Sequence, residues 1–171
     1  MRIASRGATI TYMLFSSPTL VIRRARKSEA GELSQIVLRA KRHWGYPAAQ
    51  IDAWRDELEI TPAAIEHQPM FVGELDEHVI GFYSLTPEAG IWELDNLWIE
   101  PGQMMQGHGR ALLAHALHTA SDNGIAIVRV DADPNAESFY LACGGMCTGT
   151  VAAPIPGQPH RVRPQFLFAC G

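Results

Sequence analysis

The stretch Pro101–Leu113, PGQMMQGHGRALL, decides how this chain is read. It follows a strand-like run, Trp92–Ile99, and leads into apolar residues at helical spacing. A strand, a glycine-bearing turn and a helix, in that order, build an anion cradle. Backbone N–H groups point out of the turn, and the N-terminal end of the helix adds partial positive charge. Gly107 and Gly109 carry no Cβ to hold a phosphate at a distance. The spacing therefore predicts a grip on a phosphate-bearing cofactor. A G-x-G alone does not say which one. A dinucleotide fingerprint would add a third glycine, and a nucleotide loop would add a Walker lysine; the run Gly107-His108-Gly109-Arg110-Ala111-Leu112 has neither.

The flanking sequence supplies the other elements. Val21–Arg24 reads as a first strand, and Ser28 as the N-cap of a helix carrying Leu33, Ile36, Val37 and Ala40. A second helix spans Ala48–Leu58, and Thr61-Pro62 opens a short turn. Met70–Leu75 and His78–Leu85 form a hairpin with Asp76-Glu77 at its tip. After Ile91–Ile99 comes a long helix, Gly107–Asn123, stopped by Gly124. Ile125–Asp131 is a strand, Asn135–Ala142 a short helix, and Met146–Val151 and Gln165–Ala169 are two last strands. Three consecutive hairpin-connected strands argue for a mixed α/β domain and against repeated βαβ units.

The chain has 171 residues, enough for one domain with a real core, and residues 21–171 are read as that domain. Residues 1–20 read as a loose leader, with Met13 as an alternative start. A formal net charge of −4 gives no electrostatic reason to expect nucleic acid or an anionic membrane, and no apolar run approaches the length of a membrane span. Three cysteines point to a reducing, cytoplasmic setting.

Two runs in the right order carry a family resemblance. LWIEPGQMMQGHGRALLAHAL (97–117) resembles motif A of the GCN5-related N-acetyltransferases, and DADPNAESFYLACGG (131–145) resembles their motif B. FVGELDEHVIGFYSL (71–85) resembles the family's middle hairpin. The resemblance covers roughly residues 20–170. It implies the acyl-CoA N-acyltransferase fold: a mixed, mostly antiparallel sheet of about seven strands flanked by four helices, with acyl-CoA entering where the fourth and fifth strands splay apart. It also implies that backbone groups near Leu97, Trp98 and Ile99 pair with the pantetheine arm. The turn Met104, Met105, Gln106, Gly107, His108, Gly109, Arg110 would hold the pyrophosphate, and Asn135 would touch the cofactor arm from across the cleft. The co-substrate is then acetyl-CoA, with no metal, and the partner a small-molecule amine; a homodimer is implied by resemblance only.

Two departures stand out. The family's first motif-A position is usually Gln or Arg and the next is often Gly, where this chain has Met104 and Met105. A side-chain cap on the phosphates is lost, and Gln103, Gln106 or Arg110 are the candidates to replace it. Gly145 stands where the family usually places a packing phenylalanine.

Amide formation needs a base, because an amine at neutral pH is mostly protonated. Glu93 and Asp95 lie two apart on one strand, so they share a face. By resemblance Glu93 falls where some members place a carboxylate base; the alternative is two solvated carboxylates. Tyr140 sits where the family places the tyrosine that protonates the departing thiolate. A backbone N–H near Trp98 or Ile99 is the candidate oxyanion donor.

His108, His115 and His118 with Asp122 read as a solvated helix face rather than a metal site. Cys143 and Cys147 read as residues packed on the sheet. His43, Trp44, Tyr46 and Trp54 either shape the acceptor pocket or pack in the core. The acidic overall charge favours a cationic acceptor over an anionic one. A non-catalytic acyl-CoA-binding module of the same fold is the alternative function.

Overall fold

The computed structural model describes residues 19–171, so the leader and the start at Met13 fall almost wholly outside the described residues. Among the described residues seven strands form one sheet: β1 (Val21–Arg24), β2 (Met70–Leu75), β3 (His78–Thr86), β4 (Trp92–Ile99), β5 (Ile127–Asp131), β6 (Met146–Ala152) and β7 (Val162–Ala169). Their spatial order is β1-β2-β3-β4-β5-β7-β6. Only β4 and β5 run parallel; all other neighbours are antiparallel.

The α-helices are α1 (Ala30–His43), α2 (Ala48–Ala53), α3 (Arg55–Leu58), α4 (Pro62–His67), α5 (His108–Asp122) and α6 (Glu137–Ala142). This is two more than the sequence pattern predicts. The second helical segment breaks at Trp54, and Thr61-Pro62 starts a true helix. Thr61 accepts a hydrogen bond from the Ala64 amide (3.1 Å), and Pro62 occupies the first turn, where its missing N–H costs nothing. Helix α1 also starts later than the Ser28 cap predicts. Glu29 accepts from the Arg26 amide (2.7 Å) and pairs with Arg23, which tightens residues 27–29 into a 3₁₀ turn.

Core packing follows the predicted stripes. Leu33, Ile36, Val37 and Ala40 are all buried, and α1 with α4 covers one sheet face over Met70, Val72 and Phe82. Helices α5 and α6 cover the other face, where Leu112, Leu113, Ala116 and Ala120 meet Leu85, Val128 and Phe166. The β2–β3 hairpin turns through Asp76 and Glu77, both at positive φ (47° and 65°), as a two-residue turn matched to strand twist requires.

One irregularity in β4 positions the site. Ser84 pairs with Asn96 and Leu85 with Leu94, so Asp95 is an extra residue with no partner on β3. Such a bulge bends the strand and increases its twist.

Candidate active site

The bend in β4 opens the sheet beside it. Strands β4 and β5 pair only at Trp92–Val128 and Glu93–Arg129. From Leu94 onward the outer edge of β4 has no strand beside it among the described residues, so its amides and carbonyls there face a gap. A cavity of about 480 Å³ fills that gap, walled by Leu94–Trp98 on one side and Val130–Asp133 on the other. Tyr140 from α6 forms part of the wall, and Trp44, Trp54 and Arg161 close the end beneath α1.

The cradle lies at the N-terminus of α5. The first backbone bond into the helix runs from the Ala111 amide to the Gly107 carbonyl (3.1 Å), so the amides of His108, Gly109 and Arg110 have no intrahelical partner. Gly107 is at φ 87° and Met105 at φ 61°. Left-handed Gly107, leading directly into the right-handed first turn of α5, turns successive N–H groups toward one point, as in an anion nest. Glycine adopts that φ freely, whereas Met105 does so at a cost of roughly 1 kcal/mol. Its side chain is fully exposed, so packing does not impose the conformation. The conformation of the turn as a whole does.

Local contacts engage several of the cradle residues. Met104 gives its amide to the Pro101 carbonyl (3.3 Å), so the unengaged donors begin after it. Gly109 also serves packing: a Cβ there would sit 3.2 Å from the Phe139 ring and 3.7 Å from Ile99. Arg110 donates to the Ala142 carbonyl (3.0 Å), and Gln106 to the Gly102 carbonyl (3.2 Å), so both side chains serve the protein's own backbone. His108 Nε2, by contrast, is buried with no partner among the described residues. The three spare amides at this helix end fit a phosphate-bearing ligand.

The two carboxylates separate in role. Arg129 donates to Glu93 at 2.6 Å, directly across the last paired rung of β4 and β5. Glu93 is thereby tied to the closed end of the gap. Asp95, on the bulge, lines the cavity and stays exposed to water at its mouth. Desolvation by the cleft walls, and then the nearby Glu93 charge, push its carboxyl above the ordinary value of 3.8; Arg163 partly opposes this.

Tyr140 is buried to 6% exposure, against Phe139, Phe166 and Phe168. Burial drives its phenol well above the usual 10, so it stays protonated and able to donate. Leu97 and Ile99 turn their side chains toward the α5 face, while Trp98 stacks near Trp44 (5.5 Å) and donates to Asn96 (2.8 Å).

Residues 32–144 match the model of the acetyltransferase (GNAT) family. The chain belongs to that family. As a GNAT member it is an acetyl-CoA-dependent N-acetyltransferase. Solved structures share the fold. PaiA N-acetyltransferase from Thermoplasma acidophilum, in complex with coenzyme A, superposes with a TM-score of 0.74 at 19% identity, covering 88% of this chain and 99% of that one. A GCN5-related N-acetyltransferase from Rhodopseudomonas palustris gives 0.72 at 21% identity, covering 93% and 99%. YncA from Salmonella typhimurium, with its cofactor acetyl-CoA, gives 0.66 at 16% identity, covering 90% and 95%. Among curated proteins none matches this sequence.

Within this GNAT fold, sequence reasoning missed a buried ionic cluster. Lys41 from α1 lies 2.6 Å from Asp133, which also accepts from Tyr46 (3.0 Å) and from the backbone and side chain of Asn135 (2.9 Å each). Asn135, expected on the cofactor arm, therefore spends its amide hydrogens inside the protein. Burial alone would raise the Asp133 carboxyl; the charge and hydrogen bond of Lys41, with the bonds from Asn135, outweigh it and hold the group below 3.8. For Lys41 burial outweighs Asp133 and pulls the ammonium downward. The carboxylate, with four donors, is the end whose charge the geometry fixes. Lys41 reads in sequence as one of three basic residues ending a helix, and Asp133 as a helix cap. Nothing local marks them as partners 92 residues apart.

Other expectations resolve simply. Trp44 and Trp54 line the cleft, Tyr46 is buried behind it, and His43 is exposed. His115 is not on a solvated face: it accepts or donates at 2.7 Å to the buried Tyr83 hydroxyl and packs on Phe71. Cys143 is half-buried but Cys147 is exposed, because β6 stands clear of the core on both faces. Among the described residues no three His, Cys, Asp or Glu side chains gather as a metal site would need, and no helix is long and apolar enough to cross a membrane.

Proposed function

We propose that the chain moves the acetyl group of acetyl-CoA onto a primary amine of a small molecule, by direct attack in a ternary complex. The observation that carries this reading is the parting of β4 from β5 beyond Glu93 and Arg129, with Tyr140 in the wall of the cavity it opens. The pantetheine arm lies along the unpaired edge of β4 at Leu97, Trp98 and Ile99. The diphosphate rests on amides between Met105 and Arg110. The coenzyme A and acetyl-CoA held by the PaiA and YncA structures support the choice of donor.

The neutral amine attacks the thioester carbonyl. Its proton passes to Asp95, directly or through water, and the carbonyl oxygen gains a charge that an N–H near Trp98 or Ile99 stabilises. The carbon–sulfur bond then breaks, and Tyr140 gives its proton to the departing thiolate. Solvent exchange restores both groups. Asp95 is the better base than Glu93, since Glu93 is committed to Arg129 and a carboxyl pushed upward takes a proton more readily near neutral pH.

Thiol release from acetyl-CoA is the test, measured across amino acids, simple amines, polyamines, aminoglycosides and N-terminal peptides. Turnover with at least one small amine is expected. Tight coenzyme A binding with no turnover on any amine would contradict the catalytic reading.

A further inference from the structure

The inner wall of the cleft carries more buried cation than anion. Lys41 and Arg161, with side chains 9% and 7% exposed, share the single carboxylate of Asp133, at 2.6 and 3.5 Å. One buried positive charge is left over. Arg161 has five N–H donors. It spends one on the Ala153 carbonyl (3.0 Å) and one on the Tyr46 hydroxyl (2.9 Å), while its Nε is buried with no partner among the described residues. Both cations line the cavity, so the surplus charge borders the space beside the reacting centre.

Around the whole cavity four carboxylates (Glu57, Asp95, Asp131 and Asp133) face three cations (Lys41, Arg161 and Arg163), so the surplus is confined to the buried inner wall. Glu57 and Asp95 lie at the mouth rather than in the buried wall. The Asp131 charge, hydrogen-bonded by the neutral Gln165 amide (2.9 Å), is matched by Arg163, a further cation lining the cavity, which donates to the Asp131 carbonyl.

A second observation points the same way. The aromatic slot that would suit a cationic ligand is already filled. Lys41 Nζ lies 5.6, 4.9, 5.0 and 5.3 Å from the ring centroids of Trp44, Tyr46, Trp54 and Trp98. Rings at these distances form the kind of cage that recognises an ammonium group, and here the chain's own lysine occupies it. A second ammonium from a polyamine would find the ring faces engaged and two buried like charges ahead of it.

We infer that the amine acceptor also carries a carboxylate, that this group docks against Arg161 with Lys41 behind it, and that polycationic amines are excluded. The inference rests on the acetyl-transfer reading above. It reverses what the net charge of −4 favours, because an unscreened buried charge outweighs a solvated surface average.

Matched amines test it: phenylalanine against phenethylamine, tryptophan against tryptamine, and spermidine, each with saturating acetyl-CoA and each also titrated into the coenzyme A complex by calorimetry. For at least one pair, the carboxylate-bearing member should have about tenfold or higher kcat/KM, the size of a charge-assisted hydrogen bond. Arg161→Met should bring that ratio close to one while coenzyme A affinity stays unchanged; Arg161→Lys, which keeps the charge and is the safer variant for folding, should retain part of it. No carboxylate preference in either rate or binding, or spermidine as the best acceptor, overturns the inference. Failure of coenzyme A itself to bind would instead overturn the acetyl-transfer reading.

Discussion

Lys41 Nζ and Asp133 Oδ2 lie 2.6 Å apart, both nearly buried, and join α1 to the end of β5 along the inner wall of the cleft. Replacing Asp133 by Asn would leave Lys41 and Arg161 without a counter-charge. The expected loss of stability is ~3–5 kcal/mol. The sign with pH is set by the carboxylate. Its folded value lies below its unfolded one, so its contribution is present above about pH 4 and is lost as pH falls through the depressed folded value. Denaturant melts of the wild type and Asp133→Asn should therefore differ most near neutral pH and converge in strong acid.

Tyr140→Phe removes one hydroxyl and keeps the ring that packs on Phe166 and Phe168. Turnover should fall ~10²- to 10⁴-fold, the usual contribution of a general acid, with coenzyme A affinity nearly kept. Steady-state kinetics paired with calorimetry separates the two quantities. Unchanged turnover would remove Tyr140 from the chemistry.

Asp95→Asn and Glu93→Gln should differ in kind. The Asp95 carboxyl sits above its ordinary 3.8, so activity should decline as acid protonates it, and Asp95→Asn should lower kcat and remove that limb of the pH profile. Glu93→Gln releases Arg129 at the last rung between β4 and β5, and should mainly lower stability. A lost pH limb in Glu93→Gln rather than in Asp95→Asn would exchange the two roles.

Met105 tests the cradle. At φ 61° glycine is the relaxed choice, whereas a β-branched residue there is a steric outlier. Met105→Gly should bind coenzyme A as well as the wild type or better. Met105→Val should bind it several-fold more weakly, with the melting temperature little changed, since the side chain is fully exposed. Titration calorimetry reads both.

Gly145 tests the other departure from the family pattern. A Cβ at this position would lie 2.6 Å from Phe168 Cζ and 3.0 Å from the Tyr140 carbonyl. Phe168 of β7, 4% exposed, thus fills the space beside it. Restoring Phe at 145 should destabilise the protein by ~1–3 kcal/mol or more, as overpacking does, unless Phe168 is reduced to Ala in the same chain. Thermal melts of the single and double variants decide this.

The fold was legible where the pattern is local and periodic. The stripe Leu33, Ile36, Val37 and Ala40, the Asp76-Glu77 hairpin tip and the turn before α5 all appear in the chain as they do in space. The cleft was legible only through resemblance, because the parting of β4 and β5 depends on a bulge at Asp95 that leaves no compositional mark. The packing of Gly109 was illegible for a related reason: a glycine opposite Phe139 and a glycine facing a ligand are the same letter. The Lys41–Asp133–Arg161 cluster joins residues 92 and 28 positions apart, which no periodicity links.

A crystal structure of the protein with bound acetyl-CoA tests the central claim most directly. The account predicts the diphosphate on main-chain amides between Met105 and Arg110, and the thioester between Leu94–Ile99 and the end of β5, within reach of the Tyr140 hydroxyl. Density for the cofactor elsewhere, or a gap between β4 and β5 closed by side chains while the cofactor is bound, would contradict it.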